Sequence, residues 1–171
     1  MHLRRTIALG TGAIALFALT SCGFNYATDR EYTPGVGVNN HDTDVDVLGA
    51  VIVSAEDGSG RFIASLSNSD TEEPATFEGL ESLEAGALTV KAFEPIEIAP
   101  SGLVNLADED EAIEVTGEFA AGDFVEVLVT FGDGSQAEMD IPVVTNCGYY
   151  ENLDGPSDAE QCDAPEPENE H

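Results

Sequence analysis

A chain of 171 residues with 34 acidic side chains against five basic ones has a formal net charge of −29 at pH 7. That excess excludes nucleic acid and anionic lipid headgroups as partners, because contact would press many unshielded carboxylates against phosphate. With 42% hydrophobic residues and no Trp, the chain holds core for one ordinary domain with tails.

Arg4 and Arg5 precede an apolar stretch from Ile7 to Leu19, and Leu19-Thr20-Ser21-Cys22-Gly23 follows it. A positive start, an apolar centre and small residues before a cut are the parts of a secretory signal. An aliphatic residue three places before a cysteine, with small residues between, also fits the lipobox that a lipoprotein peptidase reads in extended form. Cys22 is therefore the expected lipidation site and the first mature residue. The competing reading, a transmembrane helix, fails on length, since spanning takes about 20 apolar residues. The arginine pair leaves twin-arginine export open beside the general route. Either route places the protein at the outer face of the cytoplasmic membrane, lipid-anchored, with each buried acyl methylene contributing about 0.8 kcal/mol. The mature chain keeps three basic residues and all 34 acidic ones, about −31, so the lipid alone must hold it there.

After the signal peptide (1–21) comes a polar stretch with glycine and proline and no sustained period, expected to be a lipidated tether over 22–43. Asp42, Asp44 and Asp46 have the spacing that opens a calcium loop, but Val47 and Val53 stand where that loop needs glycine and glutamate. A β-sandwich domain is expected over 44–153. Val47 to Ser54 is a nearly continuous apolar run, Glu56-Asp57-Gly58-Ser59-Gly60 turns it, and Arg61 to Ser67 returns with Phe62, Ala64 and Leu66 on one face. Leu88, Val90 and Ala92 are expected to share a face, followed by Ile96 and Ile98 and a turn at Pro100-Ser101-Gly102. Ile113, Val115 and Phe119 alternate against Glu114, Thr116 and Glu118. Val125, Val127, Val129 and Phe131 lead into Gly132-Asp133-Gly134-Ser135, and Ala137, Met139, Ile141 and Val143 return.

Short strands at this spacing, with almost no helical period, predict an all-β fold. The expected form is an antiparallel Greek-key sandwich of immunoglobulin or cupredoxin type with flexible N- and C-terminal tails. A closed barrel is the alternative. Cys147 and Cys162 form an even pair in an oxidising compartment; a disulfide between them closes a loop of about 16 residues, worth roughly 3 kcal/mol. A metal or redox thiol pair would want a CxxC spacing or a nearby histidine, and neither is present. From Asp154 to His171 the chain is acidic and proline-bearing, expected to be disordered except at Cys162.

Catalytic chemistry finds little to build on. The mature histidines are His41 and His171, no Gly-x-Ser-x-Gly elbow occurs, and the glycine pairs lie in hairpin turns instead of phosphate loops. No catalytic, cofactor-binding or metal residue is assigned, and the chain is expected not to be an enzyme.

The stretch from Ile96 to Val144 resembles the PCu(A)C-type periplasmic copper chaperones. The likeness rests on Ile96-Glu97-Ile98-Ala99-Pro100-Ser101-Gly102, Leu103-Val104-Asn105-Leu106, Ala112-Ile113-Glu114-Val115, Ala121-Gly122-Asp123 before Val125 to Phe131, and Ile141-Pro142-Val143-Val144. It implies a cupredoxin-like sandwich and copper carriage. Where that family has a histidine opening a strand and a methionine two places on, this chain has Ala112 and Glu114, and its one mature methionine, Met139, alternates with core positions. The chain more closely resembles the actinobacterial LpqE-type lipoproteins, through the lipobox, Val36-Gly37-Val38-Asn39, the Val47 to Asn68 hairpin, and Pro142-Val143-Val144 followed by Gly148-Tyr149-Tyr150. That resemblance implies an accessory or assembly protein with a protein partner in the membrane, the respiratory supercomplex among the candidates; a copper chaperone-like metal carrier with an altered site is the alternative. Tyr149 and Tyr150 are the candidate partner contacts, with capping of the sandwich edge as the competing role.

Overall fold

The computed structural model describes residues 36–108, 113–158 and Cys162. Ten strands run through them: β1 (Val38–Asn40), β2 (Val45–Glu56), β3 (Ser59–Asn68), β4 (Ala75–Ser82), β5 (Leu88–Val90), β6 (Ile96–Ile98), β7 (Leu103–Asn105), β8 (Ile113–Gly117), β9 (Phe124–Phe131) and β10 (Gln136–Thr145). Their hydrogen-bonded order is β5-β8-β3-β2-β10-β9-β4-β6, with β1 on β2 and β7 on β3. β5 and β6 end this path, so the sheet curls on itself as a sandwich and does not close into a barrel.

β10 belongs to both layers. Gln136 to Pro142 pair with β9 in sheet B, and Val143 to Thr145 pair with β2 in sheet A. The β2·β10 pair is parallel, against the all-antiparallel expectation; every other pair is antiparallel. Parallel neighbours need a long crossover, which the chain from β3 to β9 supplies.

Alternation fills the space between the layers. Phe62, Leu66 and Ile113 from sheet A meet Phe77, Val127, Val129, Phe131 and Ile141 from sheet B, all buried. Phe77 stacks on Phe93 with ring centres 5.2 Å apart and lies tilted to Phe131 at 6.3 Å. Such ring pairs contribute about 0.5–1.5 kcal/mol beyond their buried area. The β2–β3 hairpin turns on Asp57-Gly58, Gly58 taking φ +79°, a left-handed conformation that glycine adopts without a Cβ clash.

β2 accounts for its own continuous apolar run. Gly49, at φ +64°, sits where the β2–β3 register slips, between Leu48 and Val51. One extra residue moves the inward set from Val45 and Val47 to Ala50 and Ile52. Val51 and Val53 then face outward, yet they too are fully buried, in a second cluster with Ile63.

The boundaries differ from expectation at both ends. β1 lies inside the stretch assigned to the tether, and Asn39 there accepts a hydrogen bond from the Gly49 N–H at 2.7 Å. At the other end, Asp154 and Ser157 are built into the domain. Between them, the alternation expected through Ala92 stops at Val90: Ala92 is exposed, and Phe93 carries the next inward contact.

Candidate functional site

The residues that would carry soft-metal chemistry are each engaged. Met139 is 4% exposed, opposite Val127 in the core. The Sγ atoms of Cys147 and Cys162 are bonded to each other. His41 is exposed and its Nδ1 lies 2.9 Å from the Asp46 carboxylate. Glu114 points outward from β8 and binds the Lys91 ammonium at 2.9 Å. Ala112 and Cys22 lie outside the described residues. Among the described residues no group of three or more His, Cys, Asp or Glu is placed to hold a metal. No helix among them is long and apolar enough to cross a membrane.

The disulfide staples a cap onto sheet A. After β10 the chain makes a short 3-10 helix, Gly148–Tyr150, and folds back around Asn146. The buried Asn146 amide donates to the Asp154 and Gly155 carbonyls at 3.2 and 3.0 Å, and its oxygen accepts from the Asp154 N–H. The Asp154 carboxylate accepts from the Ala55 N–H at 2.8 Å, and the Ser157 hydroxyl donates to the Asn146 carbonyl at 2.6 Å. Polar bonds of this kind leave no apolar periodicity, which is why the sequence predicts disorder where Asp154 and Ser157 are in fact bonded into the domain. Tyr150 and Leu153 then pack over Val51, Val53 and Ile63.

The two tyrosines are split by this arrangement. Tyr150 caps the second cluster, and burial pushes its phenol above the ordinary range. Tyr149 is 82% exposed. Of the two candidate contacts, only Tyr149 stands open to a neighbour.

A feature with no sequence signal lies at one end of the sandwich. Asp44, Asp70, Glu73, Glu78 and Asp133 line a cleft of about 480 Å³ whose floor includes Val45, Ala75 and Phe131. Backbone N–H groups of Glu72 and Glu73, at 2.7 and 3.0 Å, hold the Asp70 carboxyl below the ordinary carboxylate range. Ser135 does the same for Asp133 through its side chain and its N–H, the latter at 2.8 Å. Four of these acids come from three connections far apart in the chain and Glu78 from β4, so only folding brings them together.

No family model and no curated protein matches the chain. Solved structures do resemble it. The copper-bound PCuAC domain from PmoF2 aligns with a TM-score of 0.50 at 11% identity, covering 63% of this chain and 98% of that one. The apo PCuAC domain from PmoF1 aligns with the same score at 12% identity, covering 63% and 99%. At such low identity the likeness is one of fold: the chain is a cupredoxin-like β-sandwich, similar in architecture to these domains.

Proposed function

We propose that the chain is a lipid-anchored docking module of the LpqE type. Cys22 tethers it to the outer face of the membrane, and the sandwich binds a membrane protein there, as an accessory or assembly factor and not as an enzyme. A respiratory complex is the leading partner. The observation that carries this reading is the engagement of every sulfur and imidazole among the described residues: Met139 in the core, Cys147 with Cys162, His41 with Asp46. Copper(I) wants several thioether, thiolate or imidazole ligands together. A PCuAC-like scaffold whose described soft donors are already engaged works through its surface.

A second reading is favoured by the fold likeness to a copper-bound domain, and on fold alone it is the stronger one: a metal carrier with an altered site. Two measurements separate them. Extraction in gentle detergent and pull-down through a C-terminal tag should recover a defined complex; recovery of the lipoprotein alone, across several detergents and crosslinkers, sinks the docking reading. Copper(I) and copper(II) titration of the solubilised protein should show nothing tighter than roughly micromolar, and tighter binding installs the carrier reading. Cys22→Ser should release the protein from the membrane fraction.

A further inference from the structure

Among the described residues, no segment packs over the outer face of sheet B where Phe124 and Leu83 stand exposed. Register sets Phe124, Glu126 and Leu128 of β9 opposite Pro142, Asp140 and Glu138 of β10, and sets Leu128 opposite Glu81 of β4. Leu83, just past β4, donates its N–H to the Glu126 carbonyl at 3.0 Å and so joins the same row. The alternate residues Val125, Val127 and Val129 are buried, so this set points outward. Phe124 is 64% exposed and Leu83 45%, with Leu128 half-buried between them.

Around those apolar groups stand four exposed carboxylates, Glu81, Glu126, Glu138 and Asp140. The two Lys or Arg residues among the described ones are elsewhere: the Arg61 guanidinium donates to the Leu106 carbonyl beside sheet A, and Lys91 binds Glu114. Glu126 and Asp140 are direct cross-strand partners. Like charges so placed weaken a sheet, and a cation laid across them removes the repulsion. The face thus combines protruding apolar anchors with uncompensated negative charge.

We propose that this face docks on a protein partner that presents lysine or arginine side chains around an apolar patch. The inference names the surface and the partner chemistry of the docking reading above and rests on it. Aromatic anchors supply most of the energy of such contacts, and charge supplies register and encounter rate.

The test uses the full lipidated protein in its native membranes, treated with a carbodiimide that joins carboxylates to adjacent lysines, with the joined peptides mapped by mass spectrometry. Glu81, Glu126, Glu138 and Asp140 should be joined to lysines of one protein. Phe124→Ser and Glu126→Lys should each lower that yield about tenfold, while Glu126→Lys raises the melting temperature. A purely structural role for Glu126 would move the two readouts together. Joining through Asp70, Glu73, Asp133 or Glu114 instead, or yields unchanged in both variants, overturns this face and leaves the docking reading standing. Joining spread evenly over all acidic surfaces to many proteins also overturns it. A protein joined to nothing at any carboxylate overturns both.

Discussion

On the outer face of sheet A, Val51, Val53 and Ile63 lie beneath Tyr150 and Leu153; on the outer face of sheet B, Phe124 and Leu83 stand in solvent. Both faces carry apolar residues that the inner core does not use. The first is covered by the segment that follows β10, held by a disulfide and an asparagine-centred network. The second is ringed by carboxylates and left open. Among the described residues, one outer face is covered and the other is not. The same domain closes an apolar face where stability needs it.

Opening the sealed face gives the largest effect. Cys147→Ser with Cys162→Ser should cost about 3 kcal/mol in denaturant unfolding, by returning freedom to the unfolded loop; unchanged stability would show that the cap holds without its staple. Asn146→Ala comes next, at about 2 kcal/mol, because it removes the buried side chain's three hydrogen bonds to the backbone of Asp154 and Gly155, and amide exchange across 147–157 should rise with it. The tyrosines sharpen the contrast. Tyr150→Ala should cost about 1.5 kcal/mol through lost burial, whereas Tyr149→Ala should stay within about 0.5 kcal/mol; equal losses would break the distinction between cap and open surface.

On the open face the sign reverses. Glu126→Lys should gain about 0.5 kcal/mol, read as a higher melting temperature, by replacing a like-charge pair with an attractive one. The smallest effect belongs to the acidic cleft. Asp70 and Asp133 have folded pKa values held below their unfolded ones. Their contribution is present above about pH 4 and is lost as the pH falls through the folded values. Asp70→Asn should flatten that acid limb in unfolding titrations; a limb of unchanged steepness removes Asp70 as its source.

Local signals made the two long hairpins legible. Turn chemistry at Asp57-Gly58 and at Gly132 to Ser135 places both hairpins, and clean alternation sets the faces of β3, β9 and β10, whereas the continuous apolar run of β2 shows no face because its register slips at Gly49. β4 gave no such signal because a register slip between Phe77 and Gly79 breaks its period. β1 (Val38-Asn39-Asn40) and β7 (Leu103-Val104-Asn105) show none because neither alternates apolar with polar residues, as the equally short β5 and β6 do. The disulfide followed from compartment and count, but what it secures did not, since the cap is built from an asparagine, an aspartate and a serine. Of the candidate contacts, Tyr149 and Tyr150 were visible as a pair, and only packing separates them. The open face of sheet B was hidden for a different reason: Leu83, Phe124 and the four acids belong to three strands, and adjacency across strands is set by register alone.

β10 has a consequence for how the chain reaches this state. Val143 meets Ile52 across nearly the whole length of the domain, and the cap follows only after that pairing. Contacts between such distant segments form slowly, after a large loop has closed. No fragment ending before Thr145 can complete β2's edge or cover Val51 and Val53, so during synthesis the domain stays unfinished until its last strand arrives. Truncation from the C-terminus should therefore yield no smaller stable sandwich, only a chain with exposed valines and an unpaired strand edge.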